Sequence, residues 1–274
     1  MIISSNLSLH KKLPLSAWRK IAIGTWKTSK DPSSYGMVEI SVSKAMLFLE
    51  EQNKTSHHKI TITHFVGKAL AIVMEKVPEI NSVLRFSQLY PRKNIDVFFQ
   101  VASDLEGKDL TGSIVRDVNK LKIEEIAHKL GHDAKRIKEG NDLNFKKMKN
   151  LFKFIPSFCV SYLINAVSFI QYQLNIWSPL IGTPKNSFGS IMVTNIGSIG
   201  LDYAFAPLVA YSKVPIIACL GKIKKTPVVK DNEIVIDDIL KIGFTIDHRH
   251  IDGVHAAKMA KILSDLFENP EQIL

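Results

Sequence analysis

Apolar residues recur at two periods along this chain, and the places where the period changes mark out its elements. From Leu15 to Lys27 the spacing is helical, with Trp18, Ile21, Ala22 and Trp26 on one side and Arg19 beside them. Met37 to Val42 reads as a strand, followed by a helix through Glu51 and a polar loop from Asn53 to Lys59. Thr63 suits the N-cap of a helix ending near Pro78. Ile95, Val97, Phe99 and Val101 alternate, so a strand is expected over 94–102. A short strand follows at Ser113–Arg116, then a charged amphipathic helix at Ile123–Lys138. Ser190 to Thr194 and Val214 to Leu220 are apolar runs of strand length. Val228 to Ile236 reads as a hairpin turning at Asp231-Asn232. Leu240 to Asp247 is a strand that ends at His248. Gly253 opens a last helix with Ala256, Ala260, Leu263 and Phe267 on one face. Strands and helices alternate without repeats or a flexible linker, so a single α/β domain over 1–274 is expected.

One segment breaks the alternation. Phe154 to Pro184 contains no charged residue, and Lys146, Lys147, Lys149 and Lys153 lie just before it. This marks a helical insertion over 143–186. Phe154 to Trp177 is long enough to span a bilayer. Its polar residues argue against that, because Ser157, Ser161, Asn165, Ser168, Gln171 and Asn175 form one uncharged stripe at helical spacing. Pro156 falls in the first turn, where proline is tolerated. Two placements are expected: packing within the protein's own assembly, or docking on a membrane surface through 146–177. In the second, the lysines meet anionic headgroups and Phe152, Phe154, Phe158 and Trp177 enter the interface.

The chain has 274 residues, 46% of them hydrophobic, which suffices for a large core. Its formal net charge of +10 favours an acidic partner, such as a phosphate-bearing cofactor or an anionic membrane. No nucleic-acid-binding motif is present, so nucleic acid is not an expected partner. Cys159 and Cys219 have no metal or redox spacing and read as buried free thiols in a reducing compartment. The first residues lack the apolar core of a signal peptide, and a cytoplasmic location, with membrane association as the variant, is expected.

Candidate chemistry concentrates in FTIDHRHIDGVH, where His248, His250 and His255 sit among Asp247 and Asp252. Three readings compete. His248 and His250 share a strand face, and His255 could join them as metal ligands. Alternatively the histidines merely end a strand, with Asp252-Gly253 as its turn, which spacing alone favours. The third reading is a catalytic base with its supports.

The run from His248 to Gly253 resembles the His-x-x-x-Asp-Gly signature of the dihydrolipoamide acyltransferases of 2-oxoacid dehydrogenase complexes. Started at Asp247, it resembles the longer Asp-His-Arg-x-x-Asp-Gly form; chloramphenicol acetyltransferase carries a related version. PLSAWRKIA (from Pro14), TITHFVGKALAIVMEKVPEIN, SIVRD, SIMVTNIGSIG and the ending LFENPEQIL are similar, in order, to further segments of that family's catalytic domain. The resemblance covers nearly the whole chain outside the insertion. It implies a chloramphenicol-acetyltransferase-like mixed sheet flanked by helices, and a homotrimer with its active site between subunits. Larger assemblies would be joined near Ile273 and Leu274.

The resemblance also implies a chemistry. Acyl would pass between coenzyme A and a thiol such as dihydrolipoamide, with CoA or acyl-CoA as substrate. His248 would be the base, since a thiol with pKa near ~8.5 is only slightly ionised at neutral pH and histidine titrates close by. Such a base contributes about 10²–10⁴-fold. Thr194, in Thr194-Asn195-Ile196-Gly197, matches the family's oxyanion serine and would supply the hydroxyl donor. Asp252 would not carry protons but pair with Arg19 on the first helix and hold the loop; His250 and His255 would be surface or packing residues. No metal is expected. The chain departs from the family pattern in lacking lipoyl and subunit-binding domains, so any lipoyl group would come on a separate protein. Asp109-Leu110-Thr111-Gly112-Ser113 replaces a Gly-Leu-x-x-Pro segment, and 143–186 is foreign to the pattern. The alternatives are a small-molecule O-acetyltransferase of the chloramphenicol type and a non-catalytic assembly or membrane-surface module.

Overall fold

A computed structural model describes residues 4–17, 20, 23, 31–102, 110–138, 156–181 and 183–274. In chain order the strands are β1 (Ser4–Ser5), β2 (Ser33–Ser41), β3 (Ser82–Arg85), β4 (Gln88–Pro91), β5 (Val97–Ala102), β6 (Leu110–Val115), β7 (Ile176–Trp177), β8 (Ile191–Asn195), β9 (Ile216–Leu220), β10 (Lys224–Lys230) and β11 (Glu233–Asp247). The α-helices are α1 (Ser43–Thr55), α2 (Ile62–Lys76), α3 (Ile123–Lys138), α4 (Ser157–Ser168) and α5 (Gly253–Glu268). Among the described residues seven strands make one mixed sheet, ordered β10-β11-β9-β8-β5-β6, with β2 on β11. The β5–β8 and β8–β9 pairs are parallel and the others antiparallel. β10 and β9 follow one another along one side of β11, since Lys224 pairs with Ile239 and Leu220 with Ile242. β2 takes the other side, where Ser41 also pairs with Ile239.

Burial explains the apolar runs. β9 is buried along its whole length, as a strand flanked on both sides and covered on both faces must be. One face of the sheet packs against the helices through Phe65, Leu70 and Met74 of α2 and Leu263, Leu266 and Phe267 of α5. The other face carries a smaller cluster around Met192, Ile217 and Cys219, closed by Ala206, Leu208 and Val209. That covering segment lies directly on the sheet. A Cβ on Gly243 would sit 2.2 Å from the Ala204 carbonyl oxygen, so only glycine admits the approach.

The expected turn at Asp231-Asn232 forms, with both residues at positive φ as a two-residue hairpin requires. The helix expected from Thr63 is capped two residues earlier, at Thr61. His64 explains the shift, because its Nδ1 accepts the Thr61 backbone N–H at 3.0 Å and completes a reciprocal cap. The β3–β4 hairpin has no counterpart in the sequence pattern. Its turn residues are Phe86 and Ser87, both at positive φ, in place of the usual Asn-Gly. Support comes from the distant Gln173, whose carbonyl accepts from Arg85 at 2.9 and 3.1 Å and whose side-chain oxygen accepts from the Phe86 N–H at 2.8 Å.

Gln173 belongs to the expected insertion. There α4 runs into a π-helical turn over 169–173 and then β7, which pairs with β1. The polar stripe is not an outward face throughout. Ser161 and Asn165 are exposed, but Ser168 and Gln171 are buried. Ser168 Oγ donates to the Tyr211 carbonyl at 2.9 Å, and the Asn175 amide donates to Leu7 O at 3.0 Å. Buried amides and hydroxyls need such partners, so the lower half of the stripe faces the protein. Trp177 is half-buried, and its indole N–H donates to Thr183 O at 2.9 Å. The lysines at 146–153, with Phe152 and Phe154, lie outside the described residues, as do Trp18, Arg19, Ile21, Ala22 and Trp26. Among the described residues no helix is long and apolar enough to cross a membrane.

Candidate active site

β11 carries the chain to His248 in extended form. The His248 N–H still donates to Pro32 O at 3.0 Å, continuing the pairing with β2. The chain then turns, and the N–H groups of His250 and Ile251 return to the Asp247 carbonyl. Both neighbours of His248 hold this turn. Arg249 donates to Asp247 through Nε at 2.9 Å and through the second guanidinium nitrogen at 2.6 Å, a bidentate pair. Burial alone would push the Asp247 carboxyl up, but the Arg249 hydrogen bonds, with the His250 and Arg249 charges, hold it below the usual carboxylate range. Ile251, fully buried, plugs the turn into the core.

The three histidines go to three different places. His248 lines a cavity of about 440 Å³ between β2 and α5, with Leu70, Phe244, Ile246 and Met259 around it. Nδ1 of His248 is buried on the protein side of this cavity. His250 is turned inward, with Nδ1 3.0 Å from Ser82 Oγ, so it packs. His255 caps α5 together with Asp252. Its Nδ1 lies 2.8 Å from Asp252 Oδ1, and its backbone N–H donates to the same oxygen at 3.3 Å. The same Nδ1 lies 3.4 Å from the Asp252 backbone N–H, the reciprocal half of the cap. Sequence reasoning missed this support, although Asp-x-x-His has the spacing of a capping box. Among the described residues no three His, Cys, Asp or Glu side chains are grouped as metal ligands. The expected Arg19 partner of Asp252 lies outside the described residues.

Thr194 sits near the end of β8, paired with Cys219 on β9. The turn after it is pinned by Asn195, whose amide donates to Thr63 Oγ1 at 2.8 Å and whose side-chain oxygen accepts from the Ser198 N–H at 3.1 Å. Thr194 lines a second cavity, of about 750 Å³, shared with Thr63, His64, Phe99, Phe205 and Cys219. Burial lowers the His64 pKa to about 4, so this imidazole is neutral at ordinary pH. Burial pushes the Cys219 thiol up, which keeps it protonated and unreactive.

Register gives the separation of the two ends. Thr194, Cys219 and Gly243 lie side by side on β8, β9 and β11. His248 is five residues further along β11. At about 3.4 Å per residue and 4.8 Å per strand, the Cα atoms of Thr194 and His248 stand roughly 20 Å apart. Their side chains cannot meet on one reacting carbonyl within a chain.

The model of the 2-oxoacid dehydrogenases acyltransferase (catalytic domain) family matches residues 8–159 and 185–274. The chain belongs to this family. The unmatched 160–184 falls within the expected insertion. The dihydrolipoyllysine-residue acetyltransferase component of the acetoin cleaving system of Bacillus subtilis is 22% identical over 270 residues, 96% of this chain and 57% of that protein. The chain spans only 50–58% of the length of the first curated relatives it matches. Among solved structures, the cubic core of the pyruvate dehydrogenase multienzyme complex superposes with TM-score 0.67 at 17% identity, covering 96% of this chain and 93% of that one. Chloramphenicol acetyltransferase gives TM-score 0.51 at 12% identity, covering 93% and 99%. The acyltransferase fold expected from the resemblance, a mixed sheet flanked by helices, is therefore the fold found. Within it, this family member presents its motif histidine and its motif threonine at the C-terminal ends of β11 and β8, which run in opposite directions, each on its own cavity.

Proposed function

We propose that this acyltransferase-family chain moves an acyl group between coenzyme A and a thiol such as dihydrolipoamide, at a centre shared by two copies of the chain. His248 comes from one copy and Thr194 from the other. The separation of these residues within one chain, set against cavities at both, is the observation that carries this reading. Each cavity admits one half of the reaction: the 440 Å³ space reaches His248 and the 750 Å³ space reaches Thr194.

Nε2 of His248 takes the proton of the incoming thiol. The thiolate adds to the thioester carbonyl carbon, and the resulting oxyanion accepts a hydrogen bond from Thr194 Oγ1 of the other copy. Collapse breaks the original C–S bond, and the departing thiolate takes the proton back from His248. No net proton is gained or lost, as thioester exchange requires. Asp252 and Arg249 hold the turn and do not transfer protons. Such a base is worth about 10²–10⁴-fold, and the hydroxyl donor roughly 10²–10³-fold.

Association of copies, proposed here as a homotrimer, is supported as far as contact goes by the β10–β11 hairpin. Pro227 pairs with Ile236 and Val229 with Ile234, so all four share one face, and Val229, Ile234 and Ile236 are exposed. A solvated apolar face of this kind is contact surface. Labelled acetyl-CoA offered dihydrolipoamide should give acetyl-dihydrolipoamide, with CoA released. Labelling of a chloramphenicol-type hydroxyl acceptor in its place would move the assignment to O-acyl transfer.

A further inference from the structure

Arg92 follows β4 and is 6% exposed, yet its charge has no close neutraliser. Its guanidinium donates to the side-chain oxygen of Asn186 at 3.1 Å and to Lys213 O at 3.3 Å, both uncharged acceptors. Nε is buried without a partner. Among the described residues no carboxylate lies within ion-pair distance of it. Asp96, the acid that couples to it, is already engaged by Arg116 at 2.8 Å, by the Asn186 amide at 3.0 Å and by the Asp117 N–H at 3.0 Å. Tyr172 lies close enough to couple to both arginines, and its hydroxyl is also buried without a partner. Burial raises that phenol to about 12, so it stays a neutral donor and offers no negative charge. A buried cation is costly unless an anion compensates it.

Arg92 borders a polar cavity of about 330 Å³ that opens between the N-terminal strand segment and the start of β5. Arg116, Lys185, Asn6 and Asn94 line it as well. Arg116 and Asp96 cancel each other, which leaves Arg92 and Lys185 as the surplus charges. We propose that this cavity is a binding site for an oxyanion of the phosphate class, with Arg92 as its buried cation and Lys185 at its rim. The oxyanion is either free phosphate or the phosphate of a larger molecule. The proposal does not depend on acyl transfer. Lys185 and Asn186 stand where the insertion rejoins the family pattern, and Tyr172 comes from inside the insertion.

Thermal unfolding of the full chain tests the site, with inorganic phosphate titrated against sodium chloride at matched ionic strength. A ligand at ten times its dissociation constant raises Tm by about 2–3 °C in a chain of this size. Wild type should show that saturable rise with phosphate and not with chloride. Lys185→Gln should weaken phosphate binding about two- to threefold, as for a rim charge. Arg92→Gln should remove the phosphate dependence of Tm, whatever the loss of its bonds to Asn186 and Lys213 does to Tm in phosphate-free buffer. Should Arg92→Gln fail to fold, Lys185→Gln still carries the comparison. CoA that competes with phosphate where pantetheine does not would identify the phosphate as part of the cofactor. If neither competes, the ligand is a free anion. The proposal is overturned if phosphate does no more than chloride. It is equally overturned if Lys185→Gln leaves the rise intact, or if Arg92→Gln lowers Tm equally with and without phosphate.

Discussion

A shared centre makes a quantitative prediction that a centre within one chain does not. Let His248→Ala and Thr194→Ala be prepared as separate variants and then mixed by co-expression or by joint refolding. Each alone should retain at most about one per cent of wild-type turnover, from loss of a base or of an oxyanion donor. In the mixed assembly a centre is intact when it draws His248 from a Thr194→Ala chain and Thr194 from a His248→Ala chain. With equal amounts and random assembly each condition holds half the time, so about a quarter of centres are whole in any closed ring of copies. Activity should therefore rise from about one per cent to about 25%. The distance argument demands this: roughly 20 Å separates the two residues in one chain, whereas a thiol, a carbonyl and a hydroxyl must gather within about 3 Å of one another. A CoA-release assay with dihydrolipoamide as acceptor reads the result. A mixture that stays at the sum of its parents would refute the shared centre. A control sharpens the test: wild type diluted with an equal amount of the double variant should fall to about a quarter, not a half.

Thr194→Ser should keep most of the turnover, because the hydroxyl survives, whereas Thr194→Ala should lose about 10²-fold in kcat; equal activity of both would move the oxyanion to another donor. The depressed His64 pKa has a defined sign. With a folded value of about 4 against 6.5 unfolded, the stabilising preference for neutral imidazole is complete above pH 6.5 and is lost as pH falls toward 4. Up to about 2–3 kcal/mol is at stake after allowing for partial exposure. His64→Gln keeps an acceptor at the helix cap, so its urea midpoint should fall less between pH 6.5 and 4 than that of wild type; parallel curves would sink the assignment. Gly243→Ala should destabilise by about 1–3 kcal/mol, since its Cβ would meet the Ala204 carbonyl at 2.2 Å; an unchanged Tm would show that the covering segment yields.

The sequence by itself determined the elements whose causes are local. The alternation at Ile95 to Val101, the Asp231-Asn232 turn and the apolar face of α5 were legible because period and turn chemistry act within a few residues. The motif around His248 was legible for the same reason, as a contiguous run ending a strand. Tertiary structure decided whatever depends on residues far apart in the chain. The β3–β4 turn at Phe86-Ser87 has no turn signature of its own, because Gln173 supplies its hydrogen bonds. The polar stripe of the insertion reads as one continuous line by period alone, and only the fold shows that Ser168 and Gln171 pack inward while Ser161 and Asn165 are exposed. Spacing alone does not separate His250 and His255 from His248, and the motif resemblance leaves them only as surface or packing residues. The fold decides where they go, sending His250 to Ser82 and His255 to Asp252. The distance between Thr194 and His248 is likewise a matter of strand register, which no motif records.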